Sequence, residues 1–282
     1  MSFSDTFIEL VKEIENYNSE SAPREMKAKE ALMASFDIDP TSPIANFKDR
    51  EFNFKYFTGE LAWYLHRSRD VEYISHFSKF WKGLTNPNTN QINSNYGHLV
   101  INDDQYGWVI DSLVKDKDSR QAIMFFNRPE YQFKENKDFV CTLYSNFFIR
   151  NNKLFMKIQM RSNDIFFGLT FDAPFFSFLH QSVYNDLKQT YPDLELGTYY
   201  HFVDNIHFYE RHFELANKIK KNGKGEDFKL ILKKSLIEYR NNEVHLTDSG
   251  LEFLRRVDSA INSEKRGSSV DYKLILNDYF EI

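Results

Sequence analysis

A chain of 282 residues with 27% charged and 41% hydrophobic residues has the composition of a folded globular protein, and suits one large domain, or one domain with an appendage. A net charge of -5 argues against direct nucleic-acid binding, although a few local arginines suffice for a small anion. The single cysteine excludes an internal disulfide framework and any zinc site built from several cysteines, and it suits an intracellular, cytoplasmic protein.

In chain order, residues 3–17 predict an amphipathic helix with Phe7, Leu10, Val11 and Ile14 on one face. This stretch is acidic and lacks the layout of a signal peptide, and no apolar run approaches a membrane span. Residues 18–50 predict irregular structure punctuated by Pro23, Pro40 and Pro43. Residues 51–68 predict a second helix, 83–97 a polar turn-rich segment, and 104–115 a third helix. A strand-rich block follows at 120–126, 138–149 and 153–161, with Asn151-Asn152 as the turn between the last two. Residues 173–190 predict a mostly buried helix, and 196–209 an extended aromatic segment that passes into helix. Beyond 215 the chain becomes Lys-rich and amphipathic. This order predicts an α+β domain with a large mixed sheet flanked by helices, ending in a helical C-terminal extension.

Cys141 lies in the stretch DFVCTLY, and taken alone it is either a small buried hydrophobe or a nucleophile. The stretch MRSNDIFFGLTFD (160–172) gathers Arg161, Ser162, Asn163, Asp164 and Asp172 around a Phe-Phe-Gly turn. It is either a loop with solvated charges or a site for a ligand that carries both phosphate and a base. Asp172 also stands where it could cap the helix that follows.

The words GELAWY (59–64), INSNYG (92–97), DSR (118–120), NRPEYQF (127–133), DFVCT (138–142), MRSND (160–164), FGLTFD (167–172) and HFYERHF (207–213) resemble, in order and spacing, the thymidylate synthase superfamily. Within it they look most like the phage deoxycytidylate (dCMP) hydroxymethylases, whose product feeds modified-base DNA synthesis. The resemblance implies a thymidylate synthase-like catalytic domain over 1–217, with 218–282 as an extension of unknown role. It implies one-carbon transfer from 5,10-methylenetetrahydrofolate to C5 of a cytosine nucleotide, with water completing the reaction to 5-hydroxymethyl-dCMP. A cytidylate C5-methylase, a dUMP-using enzyme and an inactive nucleotide-binding relative are the alternatives.

By the same resemblance Cys141 is the nucleophile, Glu60 the acid/base and Asp172 the base-recognition carboxyl. Arg161, Ser162, His207, Tyr209, Asn95, Tyr96 and Arg24 bind the nucleotide. Asp164, Trp81, Phe167, Gly168 and Phe171 line the folate site, and no metal is implied. The resemblance further implies a homodimer, with Arg120 reaching the partner's phosphate site. There the family usually shows two adjacent arginines, whereas this chain has Arg120-Gln121. Position 172 is Asn in the thymidylate synthases. An Asp there suits cytosine, whose N4 donates and whose N3 accepts. Cys141→Ala is expected to abolish turnover while nucleotide binding survives; steady-state kinetics beside calorimetric titration check this, and residual full turnover would remove the thiol from the chemistry.

Overall fold

The strand-rich block becomes the middle of one sheet, which also recruits strands from both ends of the first 210 residues. The computed structural model describes residues 1–86, 89–102 and 104–282, so Pro87 and Asn88 of the turn-rich segment lie outside the described residues. In chain order the elements are α1 (Phe3–Tyr17), β1 (Ser19–Ser21), β2 (Ala28–Ile38), β3 (Ile44–Asn46), α2 (Phe54–His66), α3 (Val71–Ser75), α4 (Gln105–Lys115), β4 (Ile123–Phe125), β5 (Thr142–Arg150), β6 (Lys153–Met160) and β7 (Asn163–Asp164). There follow α5 (Thr170–Leu187), β8 (Glu195–Tyr209), α6 (Phe213–Asn222), β9 (Glu226–Phe228), β10 (Ile231–Leu232), β11 (Ile237–Arg240), β12 (Glu243–Leu246), α7 (Asp248–Lys265), α8 (Tyr272–Asn277) and β13 (Phe280–Glu281).

The central sheet has the order β1-β2-β8-β6-β5-β4, with β7 also paired to β8. β8 runs parallel to β6 and β7, and the other neighbours are antiparallel. Parallel neighbours cannot be joined by a hairpin, so the chain leaves β6, passes through α5 and returns as β8. That crossover brings the first turn of α5 to the carboxyl end of β6, the side on which open sheets with parallel strands hold their ligands.

Local chemistry accounts for most boundaries. Ser2 caps α1 by accepting from the Asp5 amide, and Phe7, Leu10, Val11 and Ile14 are all buried. Asn151 and Asn152 both take positive φ, 49° and 60°, as a two-residue hairpin turn requires. On β6, Leu154, Met156, Ile158 and Met160 are fully buried, and burying each is worth about 1.5–3 kcal/mol. Phe155 lies on the opposite face, which carries Tyr144, Phe148, Tyr200 and Phe202, with Phe202 37% exposed.

Three expectations change. Residues 18–50 are not irregular: β2 is 11 residues long and pairs with β8 along its length. Its alternation is masked at Met33, which takes φ 62° and drops out of the ladder between Leu32 and Ala34. The inward positions are therefore Ala28, Ala31, Ala34 and Ile38, a spacing that no strict period of two produces. The strand expected at 138–149 starts only at Thr142, which leaves Cys141 in the loop just before it. Residues 218–282 contain α7 and α8 but also β9 to β13. β9 pairs with β3, and the Lys55 ammonium of α2 lies 2.7 Å from Glu264 of α7. Among the described residues no helix is long and apolar enough to cross a membrane.

Gly97 is where the 92–97 loop touches α2. A Cβ there would lie 1.7 Å from the Tyr64 carbonyl oxygen, a backbone atom that cannot swing aside. Gly97→Ala is expected to destabilise the fold by roughly 1–3 kcal/mol, the usual cost of overpacking. Urea denaturation measures it, and an unchanged midpoint would contradict the tight contact.

Candidate active site

Cys141 sits in a loop that is held from three sides. Asn127 donates to the Val140 carbonyl at 2.6 Å, and Arg161 Nε donates to the same carbonyl at 3.1 Å. Arg161 Nη2 donates to the Phe139 carbonyl and also reaches Cys141 Sγ at 3.4 Å. The Arg161 amide donates to the Cys141 carbonyl at 3.0 Å. From below, the buried Asp138 carboxylate accepts from the Asn93 and Ser94 amides at 2.6 and 2.8 Å, and from the Ser94 hydroxyl. Burial pushes the thiol up, and the positive charge of Arg161 opposes that shift.

Two buried carboxyls belong to the same cluster. Glu60, on the buried α2, is raised to about 8 by burial and by the Asp172 charge, against hydrogen bonds from Tyr56 and Tyr64. Asp172, in the first turn of α5, is raised to about 7 by burial, against a hydrogen bond from Asn163. Asn163 Nδ2 donates to Asp172 Oδ2 at 2.7 Å. Asp172 therefore does not cap α5, whose N-cap position is Leu169 without a side-chain bond. Capping falls to Asp164, which accepts from the Phe166 and Phe167 amides at 2.8 and 3.1 Å at the start of the preceding helical turn. Tyr96 closes the back of the cluster: its hydroxyl lies 2.8 Å from Thr142 Oγ1, and it feels the charges of Asp172, Cys141 and Glu60.

The remaining expected residues divide by position. Ser162 Oγ lies 3.5 Å from His207 Nδ1, which is 3.1 Å from Asn205 Oδ1, and the Tyr209 ring meets His207 edge-on at 5.1 Å. Burial holds His207 below the ordinary imidazole value. Arg24 is exposed, donates to the Lys137 carbonyl at 3.4 Å, and its charge reaches Cys141 and Tyr209. Asn95 is fully buried and works on the backbone instead. It donates to the Trp63 and Ser68 carbonyls at 2.8 and 2.9 Å and accepts from the His98 amide at 2.7 Å. Its polar atoms are spent on holding the loop that carries Tyr96. Arg120 is exposed just before β4 and has no partner within the chain among the described residues.

Of the expected folate wall, Trp81 and Phe171 are buried against Tyr56. The Trp81 indole donates to the Tyr56 hydroxyl at 3.1 Å, and the Phe171 ring is 4.6 Å from the Tyr56 ring. Phe167 is 53% exposed and carries the Arg211 guanidinium 4.6 Å above its ring. Gly168 provides clearance: a Cβ there would lie 3.1 Å from Asn163 Nδ2 and 3.2 Å from Asp172 Oδ2.

A sequence model of thymidylate synthase matches residues 5–250. The chain belongs to the thymidylate synthase family. Its relatives include the deoxycytidylate 5-hydroxymethyltransferases of Enterobacteria phages T6 and T4. The T6 protein is 32% identical over 220 residues, 71% of this chain and 87% of the relative. The T4 protein is 32% identical over 208 residues, 70% and 82%. A deoxyuridylate hydroxymethyltransferase of Bacillus phage SP01 is 28% identical over 204 residues, 67% of this chain and 52% of the relative. Thymidylate synthase membership and these relatives support one-carbon transfer to a pyrimidine nucleotide.

In this member of the thymidylate synthase family, Asn163, Tyr56, Asp138 and Arg50 have roles that were not legible in the sequence. Arg50 donates to the Phe166 carbonyl, and burial brings it down to about 10 against the favourable charge of Asp164. Asn163 and Asp138 stand inside family words, but nothing in their spacing says which carboxyl or amide each one meets. The Gly168 contact yields a test. Gly168→Ala is expected to push Asn163 from Asp172 and lower kcat/KM by about tenfold, which is about 1.4 kcal/mol, with little change in thermal midpoint. Parallel kinetics and melting check this, and equal loss of both would indicate general misfolding.

Proposed function

We propose that the protein hydroxymethylates C5 of a cytosine nucleotide, dCMP in the first instance, with 5,10-methylenetetrahydrofolate as one-carbon donor. The observation that carries this reading is the carboxyl at position 172, whose charge acts on the thiol and which, among the described residues, is tied to Asn163 through one oxygen. Its Oδ1 remains for a base. Near neutral pH a carboxyl raised to about 7 is present in both protonation states. As a carboxylate it accepts from N4–H and from a protonated N3; as an acid it shares its proton with N3. Protonation at N3 draws electrons from C6 and so favours attack there.

Cys141 adds to C6 as the thiolate, which turns C5 into a nucleophilic carbon. Arg161, at 3.4 Å from the sulfur, stabilises the thiolate against its burial. The folate, when bound, supplies an electrophilic one-carbon unit. The half-exposed Phe167, with the Arg211 guanidinium over its ring, and the buried Phe171 suit a flat heteroaromatic group of that kind. Glu60 accepts and returns protons as the C5 proton is lost, the bond from the new carbon to the folate nitrogen breaks with release of tetrahydrofolate, and water adds to the exocyclic carbon; Cys141 then leaves C6. Arg161, Arg24, Ser162, His207 and Tyr209 form the polar side suited to the phosphate and sugar, while Tyr96 backs the base.

A homodimer belongs to the same reading. The outer sheet face, with Phe125 52% and Phe202 37% exposed beside Tyr144, Phe148, Phe155 and Tyr200, offers a broad aromatic surface for a second copy. Arg120 lies at the start of the edge strand of that face, from which it can serve a partner's phosphate site. The Lys-rich segment is less free than its composition suggests, because Lys218 pairs with Glu214 and Lys220 with Glu15. A reactive free thiol functions in a reducing compartment, which suits a cytoplasmic enzyme.

The test is mass analysis after separate incubation of dCMP and dUMP with 5,10-methylenetetrahydrofolate. The expected result is a gain of CH2O on dCMP. A gain of CH2 would replace water with hydride as the last reactant, and exclusive use of dUMP would overturn the base assignment. Asp172→Asn is expected to move preference toward dUMP by at least about tenfold, roughly 1.4 kcal/mol of discrimination.

A further inference from the structure

Residue 56 is one helical turn before Glu60 on α2, so both side chains lie on one face, and the Glu60 carboxyl meets the Tyr56 hydroxyl. The Tyr56 hydroxyl donates to Glu60 Oε1 at 2.7 Å. The hydroxyl oxygen of Tyr56 in turn receives the Trp81 indole N–H at 3.1 Å. An indole nitrogen can only donate, so the single hydroxyl proton of Tyr56 is directed away from Trp81 and toward the carboxyl. The ring cannot tilt freely to break this line, because Phe171 packs edge-on against it at 4.6 Å.

We propose that Tyr56 is a positioning residue for Glu60: oriented by Trp81, it holds Oε1 as an acceptor, so that the proton Glu60 exchanges is carried on Oε2. This rests on the reading of Glu60 as the acid/base of the reaction. The consequence is stereochemical. A buried carboxyl with two equivalent oxygens would present its proton on either one, whereas this one presents it on a fixed side at no cost in reorganisation during the reaction. The other groups facing Glu60 are Tyr64 on the same helix, Asp172 on α5 and Tyr96 from the 92–97 loop. Asp172 disfavours the Glu60 carboxylate, Tyr64 favours it, and the hydrogen bond from Tyr56 favours it more than Tyr64 does.

The experiment compares wild type, Tyr56→Phe, Trp81→Phe, Glu60→Gln and the double variant Tyr56→Phe/Glu60→Gln. Tyr56→Phe keeps the ring and removes only the hydroxyl. The expected result is a kcat lower by about 10- to 100-fold, at or below the lower end of what a general acid/base itself contributes, with nucleotide KM nearly unchanged. The Glu60 carboxyl, followed by 13C NMR in protein labelled at its glutamates and assigned by its absence in Glu60→Gln, should titrate at higher pH in Tyr56→Phe. Trp81→Phe should move both readouts in the same direction by less. In the Glu60→Gln background Tyr56→Phe should add almost nothing.

An unmoved Glu60 titration would overturn the hydrogen bond, and a moved titration with wild-type kcat would overturn the positioning role. A full additional loss in the double variant would show that Tyr56 acts on something other than Glu60. The titration is independent of turnover: if the wild type converted neither dCMP nor dUMP, the reaction assignment would fail, while the NMR arm would still report on the contact.

Discussion

The guanidinium of Arg161 is the interaction on which the site depends. It stands just beyond the end of β6 and ties down the loop that precedes β5, meeting the carbonyls of Phe139 and Val140. Those carbonyls belong to backbone outside the strand ladders, and a buried carbonyl without a donor costs about 1–3 kcal/mol. The group that donates to both, to Val140 together with Asn127, is also the cation next to Cys141 Sγ. One side chain therefore contributes both to the position of the thiol and to its electrostatics. The loop is fixed again from the opposite side by Asp138, whose carboxylate gathers two amides and a hydroxyl from the 93–94 segment.

Around this anchor the molecule concentrates groups that resist being charged. Both carboxyls are surrounded by protein, and burial brings Glu60, with the added charge of Asp172, to about 8 and Asp172 to about 7. The same burial pushes the thiol up. Two titratable carboxyls near neutrality in one cluster with a free thiol form a pattern typical of catalytic sites. The aromatic richness of the chain contributes here. Tyr56, Tyr64, Tyr96, Trp81 and Phe171 make ring contacts and hydrogen bonds that exclude water while still offering hydroxyl groups to the carboxyls.

Much of the fold could be read in advance because its signals are local. The hairpin at Asn151-Asn152, the alternation of β6 and the four apolar positions of α1 each depend on neighbours within a few residues. β2 escaped because the positive φ of Met33 interrupts its alternation, and its pairing with β8 joins residues far apart in sequence. The start of β5 was displaced for a related reason: the register shifts between Thr142 and Tyr144, so the apolar run extends beyond the strand. At the site, Cys141, Glu60, Asp172 and Arg161 were legible as members of ordered words. Asn95 was also legible, but its amide is consumed by backbone, which no word can show.

The sequence by itself determined the family and the inventory of reactive groups, since residue type and order survive in one dimension. It also settled that position 172 carries a carboxyl where an amide could stand. Only the tertiary structure decided what each group faces. It tied Asp172 to Asn163 and left helix capping to Asp164. It oriented the Tyr56 hydroxyl between Trp81 and Glu60, and it placed Cys141 before the strand instead of within it. The physical reason is that hydrogen-bond direction, burial and charge coupling are set by atoms that meet across α2, the end of β6 and the first turn of α5, segments brought together by the crossover that joins two parallel strands.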